Sequence, residues 1–237
     1  MIPADVTGKP KAAISWSGGK DGYLAFRRTR QKFDFVALLT MFDEQGARSR
    51  SHGLRPEIIR EQARLLGLQP FLGRCSWNTY TEEFVRQLEL LRSSGITDIV
   101  FGDIFGDAHR EWTEAVCRRA GLCAHEPLWA KPTSALVNEF LATGAQAQII
   151  TVNRKWLDVT FLGRTLAPAL LSELAGRGAD PAGENGEYHT LVTHAPEFQG
   201  ALHIRAGEVV LKADCWALDV ILQQDAATQE SRTTGAA

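Results

Sequence analysis

An apolar run that breaks at two adjacent glycines and resumes as a helix constrains this chain more than any other feature. Lys11-Ala12-Ala13-Ile14-Ser15-Trp16 reads as a buried strand, Ser17-Gly18-Gly19 as a tight turn, and Tyr23-Leu24-Ala25-Phe26 as the start of a helical pattern. Glycine permits such a turn because it has no Cβ to bar unusual backbone angles. A strand passing through it into a helix leaves free backbone N–H groups at the positive end of the helix dipole. That arrangement holds anions, and here Ser17 adds a hydroxyl donor and Lys20 a mobile positive charge. The plain alternative is a Gly-rich strand-to-helix connection with no ligand.

The same strand-then-helix alternation continues through the first two thirds of the chain. Phe33 to Met41 reads as a second strand, followed by a polar loop from Asp43 to His52. Ile58, Ile59, Gln62, Leu65 and Leu66 form one helical stripe, with Gly67 where that helix should stop. Pro70 to Cys75 is a third strand, Thr79 to Leu91 a helix, Asp98 to Phe101 a fourth strand, and Glu111 to Ala120 a helix. Ala147 to Val152 is a later strand. The repetition predicts an α/β fold with a mostly parallel twisted sheet flanked by helices. In such sheets ligands sit beyond the C-terminal strand ends, where the glycine turn, Met41, Gly102-Asp103 and Val152-Asn153 are expected to gather. The last third changes character: a Gly-, Pro- and acid-rich stretch from Gly176 to Gly186 precedes short alternating runs at 201–205, 209–212 and 215–220, expected to form a small antiparallel meander.

Composition narrows the function classes. With 28 acidic and 26 basic residues among 237, the chain has no general field to recruit nucleic acid or an anionic membrane, which argues against both as partners. No run approaches the roughly 20 apolar residues needed to cross a bilayer. Asp5, Lys9 and Lys11 interrupt any signal-peptide core. Cys75, Cys117, Cys123 and Cys215 show no Cys-x-x-Cys pair and no zinc spacing, so a reduced, cytoplasmic chain is expected.

The glycine turn fits neither common nucleotide fingerprint: no glycine stands at the Walker A distance before Gly19, and the Gly-x-Gly-x-x-Gly spacing is absent. Ser17-Gly18-Gly19-Lys20-Asp21 instead resembles the PP-loop of ATP-pyrophosphatases, enzymes that cleave ATP between the α- and β-phosphates. That resemblance implies AMP transfer with pyrophosphate leaving, on an adenine nucleotide alpha-hydrolase-like sheet. Gly22 stands where many PP-loops carry Ser, which leaves Gly22 only its backbone for a phosphate.

A second motif, Gly183-Glu184-Asn185-Gly186-Glu187-Tyr188-His189-Thr190-Leu191-Val192, sets two glutamates three apart around a glycine, just before a strand. It reads either as an acidic solvated turn or as a carboxylate pair that holds an ammonium and takes protons from an attacking amine. With His52-Gly53, Phe101-Gly102-Asp103-Ile104, His109-Arg110, Pro127-Leu128-Trp129 and Phe161-Leu162-Gly163-Arg164, these stretches resemble the diphthine–ammonia ligase family over residues 12–220.

The resemblance implies an ATP-dependent, AMP- and pyrophosphate-forming amide ligase. Its partners would be ATP with Mg²⁺, ammonia, and a carboxylate that is protein-bound or a small molecule; a homodimer is left open. Competing expectations are a nucleotide sensor without turnover and a PP-loop enzyme acting on tRNA. The implied nucleotide contacts are Ser15, Ser17, Gly18, Gly19, Lys20, Asp21, Gly22, Thr40, Met41, Gly102 and Asp103. Gly102 would let the nucleotide approach the backbone. Asp21 either positions Mg²⁺ or caps its helix, and Asp103 either binds ribose, metal or amine or caps the next helix. His52, Arg110 and Arg164 are either substrate contacts or solvated surface groups. Glu184 and Glu187 would handle ammonia and substrate, with Lys20 and Asp21 completing the catalytic set. The implied organisation is an N-terminal arm at 1–10, a nucleotide-binding domain at 11–155, a substrate-binding part at 156–224 and a disordered tail at 225–237.

Overall fold

Strand β1 (Lys11–Ser15) turns Ala12 and Ile14 into one buried cluster and Ala13 into another on the opposite face, so it needs cover on both sides. The computed structural model, which describes residues 8–223, supplies that cover with helices. The expected tail at 225–237 and most of the expected arm at 1–10 lie outside the described residues. After β1 come α1 (Lys20–Thr29), β2 (Asp34–Phe42), α2 (Pro56–Leu66), β3 (Gln69–Arg74) and α3 (Tyr80–Ser93). Then follow β4 (Asp98–Val100), α4 (Asp107–Ala120) and β5 (Cys123–His125). The five strands pair in parallel in the order β3-β2-β1-β4-β5. The order reverses between β1 and β4, and a crevice opens at such a point beyond the strand ends. Helix α2 starts with Pro56 in its first turn and stops at Gly67, whose φ of 69° is costly for any residue with a Cβ.

The second sheet differs from expectation in one strand. After α5 (Thr133–Ala142) comes β6 (Gln146–Asn153), and after α6 (Pro168–Gly176) come β7 (Tyr188–His194), β8 (Ile204–Lys212) and β9 (Cys215–Leu222). These four strands run antiparallel in the order β7-β6-β9-β8. Strand β6 therefore leaves the parallel sheet to which its position in the alternation assigned it, and Val152-Asn153 do not join that sheet's C-terminal ends. An apolar run specifies burial without specifying a partner, and both neighbours of β6 come from the last third of the chain. The runs at 201–205 and 209–212 are joined in one strand, β8, with a bulge between Ala206 and Val209. Among the described residues no helix is long and apolar enough to cross a membrane.

Strand β7 locks the sheets together. Its Val192 N–H donates to the Gly18 carbonyl at 2.9 Å, and Leu191 and Val192 share a buried cluster with Ile14 and Leu38. Gln62, fully buried in α2, completes the junction. Its Oε1 accepts from Trp16 Nε1 at 2.8 Å, while its Nε2 donates to the Val192 carbonyl at 2.8 Å and the Gly18 carbonyl at 3.2 Å. Gln62→Leu keeps the volume and strands these partners, so it is expected to lower unfolding free energy by about 3 kcal/mol. Urea unfolding midpoints check this, and an unchanged midpoint would remove Gln62 from the junction.

Candidate active site

The crevice is a cavity of about 360 Å³ whose floor is the N-terminus of α1. Trp16 N–H donates to the Leu39 carbonyl, and Thr40 Oγ1 donates to the Trp16 carbonyl at 2.6 Å, which fixes the end of β1 beside β2. The chain then turns through Gly18, at φ +89°, and Gly19, which caps α1 without a side chain. A Cβ at Gly19 would stand 2.5 Å from His52 Cε1 and 3.0 Å from the Thr190 carbonyl, so the turn is pressed against two neighbouring segments. Gly18 and Gly19 lie behind the wall, whereas Ser15, Ser17, Lys20, Asp21, Gly22, Thr40 and Met41 line it.

Lys20 joins this floor to the second motif. Its buried ammonium donates to Asp21 Oδ2 at 2.8 Å and to the Ala182 carbonyl, while its backbone N–H donates to Thr190 Oγ1 at 3.1 Å. Burial works against its charge, but Asp21 and Tyr188 outweigh burial and the pKa rises above the usual lysine range. The loop before β7 folds on itself. Asp180 Oδ1 accepts from Ala182 N–H at 2.8 Å, and the Tyr188 hydroxyl donates to the Pro181 carbonyl. Gly183 and Glu184 thereby reach the cavity. The Glu184 carboxyl is pushed up to about 7 by the protein crowded around it, then by Asp21; Lys20 opposes this, and Asp180 and Asp103 add to it. Its side chain still meets solvent at the cavity mouth.

The opposite wall is aromatic and was not foreseen. Tyr80, Phe84, Phe101 and Trp112 line it, with Phe84 and Trp112 centroids 5.0 Å apart. His109 Nδ1 lies 3.2 Å from Asp103 Oδ1, and that hydrogen bond raises the imidazole pKa. Arg50 donates to the Cys75 carbonyl and lies 4.8 Å over the Trp77 ring. At the far end His52 stacks on His189 with centroids 4.6 Å apart, and its Nδ1 donates to the Thr190 carbonyl at 3.0 Å. His52 is held well below its usual pKa by burial, then by His189 and Lys20.

Comparison with known proteins decides the family. The diphthamide synthase N-terminal domain matches residues 10–124, and the diphthamide synthase C-terminal domain matches residues 132–222. The chain belongs to the diphthamide synthase family. Three curated relatives, each named diphthine–ammonia ligase, are 32% identical to it. The Bos taurus protein aligns over 154 residues, 62% of this chain and 57% of its own length. The Danio rerio protein aligns over 123 residues, 50% of this chain and 48% of its own. The Schizosaccharomyces pombe protein aligns over 135, which is 55% of this chain but 22% of that one. The alignments thus span about half of the animal relatives and about a fifth of the yeast one.

Within this diphthamide synthase fold several expected site residues do not meet the cavity. Arg110 reaches Glu114 at 3.2 Å and Glu126 at 3.4 Å and lies over Trp129, while its neighbour His109 faces inward. Arg164 is paired with Glu173 at 2.6 Å and lies over Phe161, apart from the cavity wall. Gly102 lines the cavity, yet the close approach it permits is to protein. A Cβ there would stand 2.8 Å from Gly22 N and 2.9 Å from the Asp21 carbonyl carbon. Gly22 has room for a Cβ, whose nearest neighbour would be the Ser15 carbonyl oxygen at 3.6 Å.

The two glutamates of the second motif part company. Glu187 is buried, and its carboxylate accepts from Asp180 N–H at 2.8 Å, Asn185 N–H at 2.9 Å and Asn185 Nδ2 at 3.1 Å. It holds the loop while Glu184 faces the cavity. Glu187→Gln weakens charge-assisted bonds to two backbone amides and is expected to cost about 2 kcal/mol of stability. Glu184→Gln is expected to leave thermal stability near wild type. Equal losses in the two variants would contradict the division.

Proposed function

We propose that this protein is an ATP-dependent, AMP- and pyrophosphate-forming ligase that converts a carboxylate to an amide with ammonia. The observation that supports it best is the meeting of an uncapped helix N-terminus and buried Lys20 with Glu184, whose carboxyl sits near 7, in one cavity. The relatives' names point to the same chemistry, with diphthine as the acid. A carboxylate resists ammonia because it offers no leaving group, and adenylation supplies one. A carboxylate oxygen attacks the α-phosphorus, the bond to the bridging oxygen breaks, and pyrophosphate leaves with the electron pair. Ammonia then attacks the acyl carbon, AMP leaves, and one ammonia proton is given up.

The chain's own groups suit each part. The N-terminal amides of α1, Ser17 and Lys20 would hold the phosphates and stabilise charge on the departing pyrophosphate. Leu39, Thr40 and Met41 would flank the base at the end of β2. Glu184 would take the proton released by ammonia. Among the described residues no cluster of three or more His, Cys, Asp or Glu side chains could hold a metal by itself. Asp21 and Asp103 do line the cavity, which fits Mg²⁺, an ion commonly held by one or two carboxylates together with phosphate. Mg²⁺ would offset phosphate charge there. A cytoplasmic setting is part of the same reading, supported by four unpaired cysteines.

Pyrophosphate release from MgATP with a panel of carboxylates and ammonium tests this. Release should require an acid, and Lys20→Ala should cut it about 100-fold. At a fixed concentration of free ammonia, amide formation should rise as pH passes about 7, because Glu184 must be ionised to accept a proton. Glu184→Gln should lower amide formation about 100-fold and abolish that rise. ATP bound tightly with no pyrophosphate from any acid would instead indicate a sensor.

A further inference from the structure

A second cavity, of about 410 Å³, lies between the antiparallel sheet and the loop joining β2 to α2. Thr151 of β6 and Ala217 of β9, paired across the sheet, line it, and Arg48 and Arg55 stand on the loop side. Ser51, His52 and His189 line both cavities, so the stacked imidazoles form a shared partition. Its lining carries three cations, Arg48, Arg55 and Lys212, against two carboxylates, Asp219 and Glu208. Asp219 is bound by two guanidiniums, Arg48 Nη1 at 2.6 Å and Arg55 through Nε at 3.1 Å and Nη2 at 2.6 Å. One carboxylate cannot neutralise both. Arg55 also reaches Glu57 at 3.8 Å, while Arg48 meets no second carboxylate among the described residues. Lys212 lines the cavity with no ion-pair partner among the described residues, and Glu208 is the other acidic group there.

We propose that this second cavity seats the acid substrate, a carboxylate-bearing molecule or side chain held by Arg48 and Lys212 and presented to the nucleotide beside His52 and His189. The inference rests on the adenylating reading of the first cavity. Both imidazoles are disfavoured as cations, His52 by burial and His189, and His189 by burial and Lys20, so the partition does not trap the carboxylate on its way.

Cys215 lines the second cavity, Cys75 and Cys117 are buried, and Cys123 is exposed. In a Cys123→Ser background Cys215 is thus the reporter thiol. The experiment measures its modification by N-ethylmaleimide with acetate, succinate or glutamate, free or carried on a short peptide, and pyrophosphate release by the same mixtures with MgATP. A carboxylate should slow modification several-fold while MgATP alone does not. Lys212→Ala should raise the acid's KM about tenfold and leave the KM for ATP unchanged. Protection by free acids marks a small-molecule substrate and protection by the peptide alone a polypeptide-borne one; either, with release, upholds the site. Release without protection, with the acid's KM unmoved in Lys212→Ala, overturns the site and leaves adenylation standing. Protection without release overturns adenylation and, with it, the seating of an acid substrate, leaving only an anion-binding cavity. Neither protection nor release overturns the site.

Discussion

The buried ammonium of Lys20 is the interaction on which the rest of the site depends. A charge removed from water needs partners, and this one takes Asp21 from its own helix and a carbonyl from Ala182, 162 residues away. The first sheet's helix and the loop before β7 are therefore ordered together. Thr190 reinforces the link by accepting the Lys20 backbone N–H, and Gln62 ties the same strand to the turn behind. Two loops distant in the chain become one site because a single cation would otherwise be stranded.

That cation also sets the protonation of its surroundings. It contributes to keeping His52 and His189 neutral, although burial is the larger cause for both. It works against the rise at Glu184, where crowding and Asp21 win. The cavity accordingly carries two fixed positive centres, Lys20 on its floor and Arg50 on the opposite wall, with Asp21, Asp103 and a glutamate that titrates near neutrality. A naked polyphosphate would meet those carboxylates as like charges. A nucleotide bearing a divalent cation would meet them as ligands, so under the proposed function the same residues would disfavour free ATP and favour its metal complex.

Much of this was legible in the residues, and what was not has specific causes. The strand–turn–helix at Ser15–Gly22 follows from local rules, and α2 with its stop at Gly67 from a stripe and a left-handed cap. Strand β6 went astray because periodicity reports burial and not the neighbour. Arg110 and His109 exchanged places because α4 begins at Asp107, a turn earlier than its apolar pattern indicates, and adjacent helical residues face about 100° apart. Glu184 and Glu187 could not be told apart by spacing, since the choice rests on which carboxylate satisfies the amides of Asp180 and Asn185. Gly102 shows the same limit: a required glycine reveals close approach but not what approaches.

The placement of β7 gives the two domains a reason to occur together. Its Tyr188, His189 and Thr190 face the first cavity, and His189 also faces the cavity of the second sheet. An acyl-adenylate is open to hydrolysis, so an enzyme forming one gains by enclosing the point where acid and nucleotide meet. Ser51 and the stacked rings of His52 and His189 border both compartments, and burial disfavours a charge on either ring. On this view the parallel sheet contributes the phosphate grip, the antiparallel sheet contributes the anion-binding pocket, and the partition sets where the two reactants meet.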